Sequence, residues 1–163
     1  MPRRRRGRDA EPAGGVAAET EHQFLSAWGL QPAQWRPIGS MGIVRDRACF
    51  RWSLDREGSV HDVSLRARRA YDRLGELGTT ISAGLTERGI EVTLPLARVE
   101  VALRILADMH VMPDAIVLAD PPAPQLRDVR RAVAALRRDV ELVVGEATDT
   151  DPLAALRARV RAS

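Results

Sequence analysis

Residues 80–94 read Thr-Ile-Ser-Ala-Gly-Leu-Thr-Glu-Arg-Gly-Ile-Glu-Val-Thr-Leu. Two short runs rich in apolar and β-branched residues flank Thr86-Glu-Arg-Gly89, and a glycine at the end of such a turn supplies the positive φ that tight hairpins require. The stretch therefore predicts a strand over Thr80–Leu85, a turn and a second strand over Ile90–Leu94. Leu96 to Met109 follows with Val99, Leu103, Ile105 and Leu106 at helical spacing, and Pro95 stands where a helix tolerates proline, in or just before its first turn. The segment as a whole is a ββα unit.

Upstream, the same order recurs. From Arg47 the residues alternate, with Cys49, Arg51 and Ser53 facing one way and Phe50, Trp52 and Leu54 the other. Asp55-Arg-Glu-Gly58 reads as a turn and Val60–Leu65 as a second strand. A helix then carries Ala67, Ala70, Tyr71, Leu74 and Leu77 and stops at Gly78. Gly58 and Gly89 lie 31 residues apart, and that offset also superposes Phe50 on Ile81, Leu54 on Leu85 and Leu65 on Leu96. A tandem duplication would explain this, and so would independent use of the same hairpin chemistry.

Downstream the pattern changes to alternating strand and helix. Ala115–Ala119 is a continuous apolar run suited to a buried strand, Gln125–Arg138 a helix burying Leu126, Val129, Val133 and Leu136, and Val140–Gly145 another buried strand. Asp151 and Pro152 then open a helix to Arg161 as N-cap and first helical residue. The two strands should be parallel neighbours. At the other end, Glu19–Trp28 forms a short helix stopped by Gly29, and Leu30–Gly42, with Pro32 and Pro37, an irregular arm that Trp28 and Trp35 would pin to the body. The expected architecture is α+β: a disordered basic arm over 1–18, a short helix and irregular arm over 19–46, and one domain over 47–163. That domain divides into ββα units at 47–78 and 79–112 and a βαβα segment at 113–163.

The chain has 163 residues, 45% of them hydrophobic, enough for a core built mainly from Leu, Val, Ile and Ala because aromatics make up only 4%. Its net charge of +3 is unevenly placed. Arg3, Arg4, Arg5, Arg6 and Arg8 give residues 1–8 a charge of +5, which leaves −2 on the rest. All 25 basic residues are Arg, and Lys and Asn are absent. GC-rich codon usage, of bacterial or phage type, explains that skew, so arginine placement informs more than arginine number. A single cysteine, Cys49, excludes an intrachain disulfide. No apolar run approaches the ~18 residues of a membrane span, and the N-terminal arginines run into acids rather than an apolar signal segment. A cytoplasmic protein without a membrane partner is expected.

Candidate chemistry is sparse. His22, His61 and His110 with Cys49 match no zinc spacing, and His61-Asp62 would point to opposite faces of a strand. Cys49, beside Phe50 and Trp52, reads as a small hydrophobe. Without lysine there is no standard phosphate-binding loop, and Gly39-Ser-Met-Gly42 has no buried strand before it. No catalytic residue, metal or cofactor is assigned. On the helix 125–138, Arg127, Arg130, Arg131, Arg137 and Arg138 fall within an arc of about 120°, opposite Val129, Val133 and Leu136. Arg66, Arg69 and Arg73 make a smaller stripe on the preceding ββα helix.

Residues 115–158 resemble the opening β1-α1-β2-α2 of response-regulator receiver domains of the kind that precede LuxR-like DNA-binding domains. The resemblance rests on a strand ending in Asp120, a proline-bearing turn, the Arg127-Asp-x-x-Arg helix start and Glu141-Leu-Val-Val-Gly-Glu146. Receivers hold magnesium with two adjacent acids after the first strand, whereas here Asp120 precedes Pro121 and Pro122. The chain also ends before a third strand could carry a phosphoacceptor. The resemblance therefore implies a scaffold or docking surface and no phosphotransfer.

The expected function is that of a non-enzymatic regulatory protein contacting nucleic acid through phosphate-directed arginines: Arg3, Arg4, Arg5, Arg6 and Arg8 of the arm with Arg127, Arg130, Arg131, Arg137 and Arg138 of the helix. The alternative is a protein-interaction or assembly module, homo-oligomeric or docked on an acidic protein surface. An enzyme comes third, because it would need a cleft gathering Asp120, Glu146, His61 or the arginines.

Overall fold

The computed structural model describes residues 18–32, 45–54, 58–136 and 139–145. The expected hairpin forms: β2 (Ser82–Thr86) and β3 (Gly89–Pro95) pair antiparallel from Ser82↔Thr93 to Thr86↔Gly89. Thr86 closes the two-residue turn, its Oγ1 accepting from the Arg88 N–H at 3.1 Å. Gly89 has φ +139°, and a Cβ there would collide with the carbonyl oxygen of Trp52 on the neighbouring strand, so the close approach of β1 requires glycine.

That neighbour, β1 (Arg47–Ser53), is the middle of one five-stranded sheet ordered β2-β3-β1-β4-β5. β1 runs antiparallel to both β3 and β4 (Ala115–Ala119), and β4 is parallel to β5 (Glu141–Gly145), as the strand-helix-strand order between them predicted. The four described helices are α1 (Ala18–Trp28), α2 (Val60–Gly75), α3 (Val99–Met109, entered through a 3₁₀ turn at Leu96–Arg98) and α4 (Ala123–Leu136).

Strand alternation determines what each face of the sheet does. Ala48, Phe50, Trp52, Leu85, Ile90, Val92, Leu94, Ile116 and Leu118 share one face and form a single buried cluster with residues from all four helices. The helices therefore form one layer on one side of the sheet. Cys49, Arg51 and Ser53 face the other way, as the alternation predicted. α1 lies along α2, where Trp28 Nε1 donates to the Ser64 carbonyl at 2.9 Å and the Trp28 ring contacts Phe24 and Tyr71.

The first ββα unit is corrected. Val60–Leu65 is not a strand but the opening of α2. Ser59 caps this helix by accepting from the Asp62 N–H at 3.0 Å, and Val63, Ala67, Ala70 and Leu74 then fall on one buried stripe. Leu65 lies off that stripe and is 39% exposed. Gly58 does have a positive φ, +117°, but it leads into a helix N-terminus. With no second strand at 60–65, the 31-residue superposition does not correspond to a structural repeat. A second correction concerns β5: it is an edge strand with Glu141, Val144 and Gly145 exposed, rather than a buried one. The arm over 1–17, Trp35, Gly39-Ser-Met-Gly42, Glu146 and the helix expected over 151–161 lie outside the described residues.

Candidate nucleic-acid interface

Arg127, Arg130 and Arg131 are exposed on α4, and Val129 beside them is buried against the core, so for these three the exposure is the one the helical period predicted. Arg131 lies 3.7 Å from Asp128 in an exposed pair, a geometry worth little in water. Arg127 and Arg130 engage no acid among the described residues. On α2, Arg66 and Arg69 are likewise exposed and unpaired among the described residues. The third residue of that stripe, Arg73, is bound to Glu76 at 3.1 Å, and Arg68 to Asp72 at 3.6 Å. Because α2 and α4 belong to one layer, the four free guanidinium groups stand on the helical side of the molecule. Arg3, Arg4, Arg5, Arg6, Arg8, Arg137 and Arg138 lie outside the described residues.

The opposite side of the sheet has a different character. Across it, Arg51 on β1 faces Glu91 on β3, with Nε to Oε2 at 2.8 Å. Ser82 and Thr93 hydroxyls meet at 2.6 Å, and Arg47 reaches Thr93 Oγ1 at 2.9 Å. An open cleft of ≈ 480 Å³ lies at one end, lined by Arg51, Ala115, Glu87, Arg88, Asp139 and Glu141. Asp114, also in the lining, accepts from the Ser53 N–H at 2.7 Å. This charged cleft went unread in the sequence because its residues come from four separated segments. Its carboxylates do not converge as a metal site, and no group of three or more metal-ligating side chains occurs among the described residues.

The histidines are dispersed. His22 is exposed on α1, His61 in the first turn of α2 and His110 at the end of α3, so His61 and Asp62 are helix neighbours instead of strand neighbours. Asp120 sits at the end of β4 with φ +44°, its N–H bound to the Gly145 carbonyl and its carboxylate 3.6 Å from Arg45. Cys49 is fully buried. Burial above all, then the Glu91 carboxylate, pushes its thiol well above the usual range, with Arg51 pulling the other way. Cys49 is therefore expected to resist a thiol reagent at neutral pH in the folded protein and to react fully in denaturant; rapid modification of the native chain would contradict this.

No helix among the described residues is long and apolar enough to cross a membrane. Comparison with family models, curated proteins and solved structures finds no match for the chain.

Proposed function

We propose that this is a non-enzymatic binding protein that contacts nucleic acid through the phosphate backbone. The observation that carries the reading is the set Arg66, Arg69, Arg127 and Arg130, exposed on one helical layer and unpaired among the described residues. An arginine already held by a carboxylate must give up that bond to take a phosphate; these four need not. Each guanidinium offers a planar fork of donors that matches two phosphate oxygens, and contacts of this kind are blind to sequence. The five arginines of residues 1–8 add a second charged segment in the same chain. Residues 115–145 act in this reading as the scaffold that holds the α4 face, in line with the role the receiver resemblance implies.

Fluorescence anisotropy with a labelled DNA duplex and an RNA of matched length tests the reading. Binding is expected at ~50 mM salt, weakening steeply as salt rises. Deleting residues 1–8 should weaken it further without lowering the unfolding temperature. Absence of binding to either polymer at low salt would overturn the proposal.

A further inference from the structure

The two edges of the sheet differ. β2 is buried along its length, whereas β5 exposes Val144 to 44%. The bonds of β5 to β4 fix which of its groups point outward. The Glu141 N–H donates to the Asp114 carbonyl and the Gly145 carbonyl accepts from the Asp120 N–H, both at 2.9 Å. Since successive residues in a strand turn their backbone groups to opposite sides, Leu142 and Val144 direct their N–H and C=O away from β4. Among the described residues nothing blunts this edge: Glu141-Leu-Val-Val-Gly145 has no proline or basic residue, and its register with β4 is unbroken.

We propose that β5 pairs antiparallel with β5 of a second copy of this chain, about a twofold axis through Val143, to make one continuous ten-stranded sheet. Backbone polarity selects the register. With Val143 facing its own twin, Leu142 lies opposite Val144 of the second copy, and the reciprocal pair lies opposite it in turn, so all eight outward N–H and C=O groups are joined in four hydrogen bonds. A twofold centred on Val144 would join that residue only to itself within the strand, in two bonds. Side chains agree with the same register. Leu142 and Val144 lie on the helix-bearing face with Ile116 and Leu118, so each pair extends the core across the axis. Glu141 meets Gly145, and no like charges are opposed.

The axis stands perpendicular to the sheet, so both helical layers lie on one side. Each α4, the crossover between β4 and β5, comes to flank the axis, and Arg127 and Arg130 of both copies share one surface. The pairing itself does not depend on what those arginines bind, and its test contains no nucleic acid.

Sedimentation equilibrium of the full chain from ~1 to ~100 μM is expected to show a mass approaching twice the 17.9 kDa chain. Val144→Pro deletes an outward N–H and no β4 bond, a substitution that edge strands accept, and is expected to weaken association at least tenfold with the circular dichroism spectrum unchanged. Val144→Lys, which keeps the backbone donor, should do the same by placing a charge against Leu142 of the second copy, and it decides the matter should the proline variant not fold. A monomer throughout the range, as when the chain's own residues or another protein take this edge, would overturn the proposal. So would a dimer that both substitutions leave intact.

Discussion

Replacing Trp52 by alanine is expected to remove about 3–5 kcal/mol of folding stability. Trp52 is 1% exposed near the end of β1 on the helix-bearing face, and its Nε1 donates to the Val111 carbonyl at 3.1 Å. Val111 follows the left-handed His110 that ends α3, so this one side chain ties the middle strand to the exit of a helix. Truncation leaves both a cavity and a buried carbonyl without its donor, and the two penalties act together. Against a total of about 5–15 kcal/mol for a folded domain, such a loss should appear as a large fall in urea midpoint. Trp52→Phe, which refills much of the space but lacks the donor, should lose clearly less. A loss below about 1 kcal/mol for Trp52→Ala would mean that the residue is not in the core.

Arg51→Met should be nearly as damaging, for an electrostatic reason. The side chains of Arg51 and Glu91 are 16% and 4% exposed, and the pair links β1 to β3. Removing the cation leaves a buried carboxylate without its counter-charge, which costs about 3–5 kcal/mol, with the lower end expected here because Arg51 keeps some contact with water. Adding Glu91→Leu removes the orphaned charge, and the double variant is expected to recover most of the loss. Denaturant unfolding of the wild type, both single variants and the double variant measures the coupling directly. Additive effects of the two substitutions would contradict a pair that acts as a unit.

The hairpin at residues 82–95 was readable because its main signals lie within it: two short apolar and β-branched runs, a two-residue turn and a glycine with a positive φ. The two faces of β1 were readable from the alternation within the strand itself. Val60–Leu65 departs from the hairpin pattern because Gly58, a residue that also suits a hairpin, is followed by Ser59, which with Asp62 three residues on is a helix N-cap. Both signals were present in the sequence, and the stripe Val63, Ala67, Ala70, Leu74 decides between them.

Other features depend on contacts that no local pattern contains. Arg51 meets Glu91 across 40 residues of chain, and β5 is apolar enough to be central but is placed last in the sheet. The α4 arginines followed from helical period alone. Which arginines on α2 and α4 are free was not legible, because pairing depends on rotamers and on neighbours such as Asp72, Glu76 and Asp128.

Phosphate binding by the helical-layer arginines is read most directly from the salt dependence of duplex DNA binding by the intact chain and by a variant carrying Arg66→Ala, Arg69→Ala, Arg127→Ala and Arg130→Ala. Each phosphate contact contributes about −0.9 to the slope of log K against log salt. The variant is expected to bind more weakly at every salt concentration, with a slope shallower by at least about 1, and with an unfolding curve matching the wild type. Superimposable binding lines for the two proteins would contradict it.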